Sequence, residues 1–218
     1  MSIMQSRIAE YERMYGQAHP GRRMSEREFD AWRDEKTRAE WVDGEVEMMA
    51  PVSVEHDDLV WWLRTVLRLY AQAKGLGSVH GPEVIVRLAL IRRKRLPDVM
   101  FVSKERASIV KTKKIDGVPD LIIEVVSLES AERDYLDKFE DYQRAGVREY
   151  WIVDPIRKEC RFHRLSDTKL YKQIIPDNDT YETPLLPLFK FHVPTLWQDE
   201  LPDVLQVVAD VKAMIDSQ

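Results

Sequence analysis

The chain has 218 residues, of which 44% are hydrophobic and 33% charged, and its formal net charge is −5. That length and apolar fraction suit one compact domain, or one with a small appendage, and exclude an extended disordered chain. The acidic balance argues against a module that coats long stretches of nucleic acid, while leaving room for a locally basic cleft.

The single cysteine, Cys160, excludes an intrachain disulfide and a thiolate metal cluster and fits a reducing cytoplasm. The beginning carries Glu10 and Glu12 and lacks an apolar core, so it does not read as a signal peptide. No run approaches the roughly 18 apolar residues of a membrane span.

Residues 1–24 read as an N-terminal extension of mixed charge. Ser25 and Glu28 have capping-box spacing and predict a short helix over 26–34. Asp43-Gly44 between two alternating stretches predicts a hairpin with strands at 39–42 and 45–49, closed by Pro51. From Ser53, apolar residues recur at helical spacing (Leu59, Val60, Leu63, Val66, Leu67, Tyr70) up to Gly75 and Gly77. Strands follow at 78–89, 97–102 and 119–126, with a charged surface connection at 103–116. A second helix, "ERDYLDKFEDYQRAG", ends at Gly146, and "REYWIVDP" is a short apolar strand. "ECRFHRL" and "KLYKQII" make a late hairpin, and residues 201–218 a terminal helix. The order is mixed α/β without a repeated βαβ rhythm. Neither a G-x-G-x-x-G nor a P-loop lysine motif is present, which leaves nucleotide-cofactor chemistry without support.

"GVPDLIIEVVSLES" places two acids in an apolar strand. Side chains alternate along a strand, so Asp120, Ile122 and Glu124 share one face and Leu121, Ile123 and Val125 the other. Two carboxylates on a half-buried face cost free energy that a divalent cation offsets, and carboxylate oxygens are ligands for Mg²⁺. Asp98 opens another strand in "RLPDVMFVS", and two strands that each begin with an acid bring those acids to one sheet end. Asp98, Asp120 and Glu124 then form an oxygen-rich site. The structural alternative makes Asp120 a turn residue after Pro119 and Glu124 the partner of an arginine. Lys138 shares a helix face with Asp134 and either pairs with it or reaches back towards Glu124. Glu40 heads the first hairpin. His56, three residues after Ser53, is a cap or packed residue, or a group that contacts phosphate or positions an acid. The run "IRRKRL" contacts phosphates or is a solvated connection.

Taken together, "RAEWVDGEVEMMAPVSVEHDDLV", "LPDVMFVS", "GVPDLIIEVVSLES", "YLDKFEDYQRAGVREYWIVDP" and "PLLPLFKF" resemble the Uma2 family of the PD-(D/E)xK nuclease superfamily, over residues 24–200. The resemblance implies a restriction-endonuclease-like core in a domain spanning 25–200: a mixed central sheet flanked by helices, with an N-terminal hairpin and a C-terminal hairpin extension. It implies metal-dependent hydrolysis of DNA. Asp98, Glu124 and the Val125 carbonyl would hold Mg²⁺, or Mn²⁺, and Asp120, a further metal-site acid, would with Glu40 support a second ion or orient the ligands of the first. The superfamily lysine usually stands two residues after the Glu, where this chain has Val126, and Lys138 matches its displaced position. Glu40 and His56 match the early acid and the histidine opening the long helix. Leu128 stands where the family usually has proline, which should loosen that turn. The rival readings are a non-cleaving DNA-binding or protein-interaction module, and a phosphoesterase for small substrates. The aromatic-rich late segments suggest a homodimer.

Overall fold

The computed structural model describes residues 23–34 and 37–216, so nearly all of the N-terminal extension lies outside the described residues. Helix α1 (Glu26–Trp32) starts at a reciprocal capping box: the Ser25 hydroxyl accepts the Glu28 N–H and the Glu28 carboxylate accepts the Ser25 N–H. Strands β1 (Ala39–Val42) and β2 (Glu45–Met48) meet at Asp43 and Gly44, both at positive φ (49° and 100°), as a tight hairpin turn requires. The long helix α2 (Val54–Ala73) is capped by Ser53 and ends before Gly75.

Beyond it run β3 (Gly77–His80), β4 (Val86–Leu88), β5 (Arg93–Arg95), β6 (Val99–Ser103), β7 (Ile115–Asp116) and β8 (Leu121–Val125). Helix α3 (Lys138–Ala145) follows a π-helical turn at Arg133–Asp137 and stops at Gly146, φ 87°. The chain closes with β9 (Glu149–Asp154), β10 (Glu159–Leu165), β11 (Tyr171–Ile174), β12 (Thr180–Glu182), β13 (Lys190–His192) and α4 (Val204–Asp216).

The central sheet has the order β11-β10-β9-β8-β6-β3, with β8 and β9 parallel and the remaining pairs antiparallel. A second sheet, β2-β1-β5-β4-β7, carries the N-terminal hairpin. The alternation read in β8 sorts the core. Leu121, Ile123 and Val125 join α2, α4, Phe189 and Phe191, whereas Ile122 joins Met100, Tyr142, Tyr150 and residues of β4. Among the described residues no helix is long and apolar enough to cross a membrane.

Three expectations change. The strand expected over 78–89 is two strands in different sheets, parted at Gly81-Pro82. The late aromatics are not left over for a partner: Phe189 packs on Tyr70, and Phe191 on Trp62 and Trp151, inside the chain's own core. That removes the ground on which a homodimer was expected. The third change concerns "IRRKRL", which forms β5 and is neither a solvated connection nor a basic surface. Arg93 pairs with Asp141 at 3.0 Å, Lys94 with Glu26 and Asp30, and Arg95 with Glu40, Glu47 and Asp141. Only Arg92 of the four is exposed, and it lies 2.8 Å from Asp43. The acids come from α1, the hairpin and α3, too far off in sequence for local pattern to reveal them.

Gly81 admits the start of β6. A Cβ there would lie 2.4 Å from the carbonyl oxygen of Asp98, so any side chain displaces backbone. Gly81→Ala is expected to cost about 1–3 kcal/mol through overpacking. Denaturant unfolding checks this, and an unchanged midpoint would show that Asp98 is not held by this contact.

Candidate active site

Because β6 and β8 are antiparallel, with Val99 opposite Ile123, the start of β6 lies beside the end of β8. Asp98 therefore sits next to Glu124 and Val125. Its Oδ2 accepts the Val125 N–H at 2.8 Å, and its Oδ1 lies 3.3 Å from His56 Nε2. His56 is placed by the α2 cap, its backbone N–H donating to the Ser53 hydroxyl at 3.2 Å. It thus both occupies the capped turn and positions an acid, while its buried Nδ1 has no hydrogen-bond partner among the described residues.

Glu124 faces α3. Tyr142 donates its hydroxyl to Oε1 at 2.7 Å, and Lys138 Nζ lies 2.8 Å from Oε2. Lys138 is also 3.0 Å from Asp134 Oδ1, so both sequence readings of this lysine hold at once. Asp98, Glu124, Asp134 and Lys138 are all buried, and they line a small cavity of about 40 Å³. Arg38 and Arg133 line it too, and sequence reasoning passed over both. No local signal separates them from the many other surface arginines.

The charges are unbalanced. Burial pushes the Glu124 carboxyl up to about 8; Lys138 opposes this, but Asp98 and Asp134 add to it. Lys138 is raised despite its burial, because Asp134 and Glu124 hold the ammonium charged. Lys138 is thus shared by Glu124 and Asp134, and the Glu124 carboxyl is pushed towards its neutral form. Among the described residues no group of three or more His, Cys, Asp or Glu is set to hold a metal ion by itself. Mg²⁺ makes no such demand, since it commonly takes one or two carboxylates and keeps several waters. The paired hard oxygens and the surplus negative charge fit a hydrated Mg²⁺ or Mn²⁺ better than a closed protein cage.

Glu40 is close but committed. It is fully buried, with Oε2 2.7 Å from Arg95 Nη1 and Oε1 accepting the Leu96 N–H at 2.8 Å. Burial alone would raise this carboxyl, yet Arg95, Lys138 and the Leu96 amide together lower it to about 2. Glu40 does not line the cavity; through Arg95 and the Leu96 amide it fastens the segment leading into Asp98.

Asp120 does not join the cluster. Its carboxylate accepts the Ser103 N–H at 2.8 Å and lies 3.4 Å from Arg148 and 3.5 Å from Arg106. Four residues of strand, at about 3.3 Å each, separate it from Glu124 by roughly 13 Å. Acids that open antiparallel neighbours lie at opposite sheet ends, which overturns the expectation that Asp98 and Asp120 meet. The turn with Leu128 in place of proline is closed by reciprocal bonds: Ser127 N–H to Ser130 Oγ at 2.9 Å, and Ser130 N–H to Ser127 Oγ at 3.2 Å. Leu128 itself is exposed.

The family model for Uma2, described as "Putative restriction endonuclease", matches residues 27–194. The chain belongs to the Uma2 family. A crystal structure titled as "a putative nuclease belonging to DUF820" from Anabaena variabilis superposes with a TM-score of 0.67 at 13% identity. It covers 80% of this chain and 97% of its own, and it shows that the two share a fold. The mixed, helix-flanked core expected from the Uma2 resemblance is therefore the fold found. No protein of curated description matches the sequence.

The Glu40–Arg95 pair makes the Uma2 core acid-sensitive. A carboxylate lowered from 4.5 to about 2 contributes stability that is present above 4.5 and lost as pH falls from there towards 2. Glu40→Gln is expected to cost about 3–5 kcal/mol at neutral pH, as for a broken buried pair. The gap to the parent should narrow on acidification. Urea unfolding across that range tests this, and a gap independent of pH would contradict it.

Proposed function

We propose that this Uma2 chain is a metal-dependent endonuclease that hydrolyses DNA phosphodiester bonds in the cytoplasm. The supporting observation is the convergence of Asp98, Glu124 and Lys138 on one cavity, with more carboxylate than cation around it. Asp98 and Glu124 would hold Mg²⁺ or Mn²⁺, with the Val125 carbonyl as a further ligand. When bound, the ion would polarise the phosphoryl oxygen and lower the pKa of a water.

The chain's own groups have distinct tasks. His56 and the Val125 N–H fix the two oxygens of Asp98. Tyr142 and Lys138 fix those of Glu124. Asp134 and Glu124 favour the charged form of Lys138, so it would offset charge that develops on the phosphate or orient the water. Glu40 positions this assembly through Arg95 and Leu96, and Asp120 pins β8 to β6 away from the chemistry.

The cavity bears on the substrate. About 40 Å³ holds an ion and a water or two, whereas small-molecule sites run to roughly 300–1,000 Å³. A phosphate must then be offered at the rim from outside, as a polymer offers it, which disfavours the small-substrate phosphoesterase. A homodimer forms no part of this proposal.

Plasmid nicking with Mg²⁺ or Mn²⁺ tests the assignment. Glu124→Gln and Lys138→Met are expected to slow cleavage by about 100-fold or more, the scale of losing one electrostatic group at a reacting centre. Asp120→Asn should stay within a few-fold of the parent. Parental rates in folded Glu124→Gln and Lys138→Met proteins would refute the site, and loss of cleavage in a folded Asp120→Asn protein would restore Asp120 to it.

A further inference from the structure

We propose that Arg38 and Arg133 form a clamp for the phosphodiester backbone at the mouth of this cavity, beside the metal-binding carboxylates. The inference rests on the nuclease reading and names the groups that receive the nucleic acid.

The site needs cations for its substrate, and the obvious ones are taken. Lys138 is held between Glu124 and Asp134. The basic residues of β5 are spent on acids of α1, the hairpin and α3. Arg38 and Arg133 differ from these. Both line the cavity that Asp98 and Glu124 line, and the Nε of each is buried without a hydrogen-bond partner among the described residues. Among the described residues, neither guanidinium makes a hydrogen bond or an ion pair through any of its nitrogens, although carboxylates line the same cavity.

A buried N–H without an acceptor is uncommon in a folded protein and asks for an explanation. A ligand bearing several acceptor oxygens supplies one. The planar guanidinium fork matches phosphate, and its charge does not titrate away. The two arginines come from separate elements whose backbones are fixed. The carbonyl of Arg38 accepts the Met49 N–H at 2.9 Å, which ties it to the hairpin, and that of Arg133 accepts the Lys138 N–H at the end of the π-helical turn. Donors approaching the cavity from the hairpin and from the helix would grip a phosphate from two sides, with the carboxylate pair available to the ion.

The test is fluorescence anisotropy with a short labelled duplex DNA, in Ca²⁺ and without metal, over a series of salt concentrations. It uses the full chain and the variants Arg38→Gln, Arg133→Gln, Arg38→Lys and Arg133→Lys, each checked for folding by circular dichroism. Each Gln variant is expected to bind about tenfold more weakly, and to lower the slope of log Kd on log salt by about 1. Each Lys variant should keep the slope and recover part of the affinity, because it keeps the charge and loses the fork. A parent that cleaves DNA alongside folded Gln variants with parental affinity and slope would overturn the clamp and leave the nuclease standing. Weakened Gln variants together with undiminished cleavage by Glu124→Gln would keep the clamp and overturn the metal assignment. A parent that neither binds nor cleaves DNA would overturn both.

Discussion

A buried arginine organises this molecule. The Arg95 guanidinium is withdrawn from water and shared among Glu40 of the hairpin, Asp141 of α3 and Glu47 of β2. Such a charge is tolerable only with partners in place, because an arginine stripped of them is an uncompensated ion in a medium of low polarity. The second sheet, the hairpin and α3 are therefore specified together. Glu40 extends the same linkage to the Leu96 amide, two residues before Asp98, and Asp141 lies on the helix that carries Lys138. The placement of the candidate site is thus inherited from an ion-pair network that does not itself touch the cavity.

The site has the opposite electrostatic character. Around Arg95 the ion pairs hold the Glu40 carboxyl charged, whereas around Glu124 burial together with Asp98 and Asp134 drives the carboxyl towards its neutral form. A protein selected only for stability would more simply place apolar side chains there. An acid cluster beside two arginines whose Nε groups have no partner among the described residues is a local conflict of the kind expected where a fold gives up stability for chemistry.

What the sequence disclosed follows the range of the forces involved. The capping box at Ser25, the Asp43-Gly44 turn and the α2 stripe depend on neighbours within a few residues, and they appear where expected. The alternation in β8 named the faces correctly, because it depends on backbone geometry alone. Strand direction does not: nothing near Asp98 or Asp120 encodes that β6 and β8 run antiparallel, so their meeting was misjudged. The β5 strand was hidden for a related reason. Three consecutive basic residues look solvated until acids from three distant segments close over them. Arg38 and Arg133 left no trace in the sequence, since their distinction is a buried Nε without a partner among the described residues, which only three dimensions reveal.

The π-helical turn at Arg133–Asp137 has an implication for how such sites vary. Both groups that hold Glu124 from the helix side, Lys138 and Tyr142, lie beyond this turn and four residues apart. The turn already takes up one residue more than ordinary winding does, so a further insertion ahead of Lys138 would rotate the rest of α3 by about 100°. The ammonium and the phenol would swing off the strand together. Natural length variation should consequently be scarce in this stretch and freer in the loops, even where side-chain identity drifts.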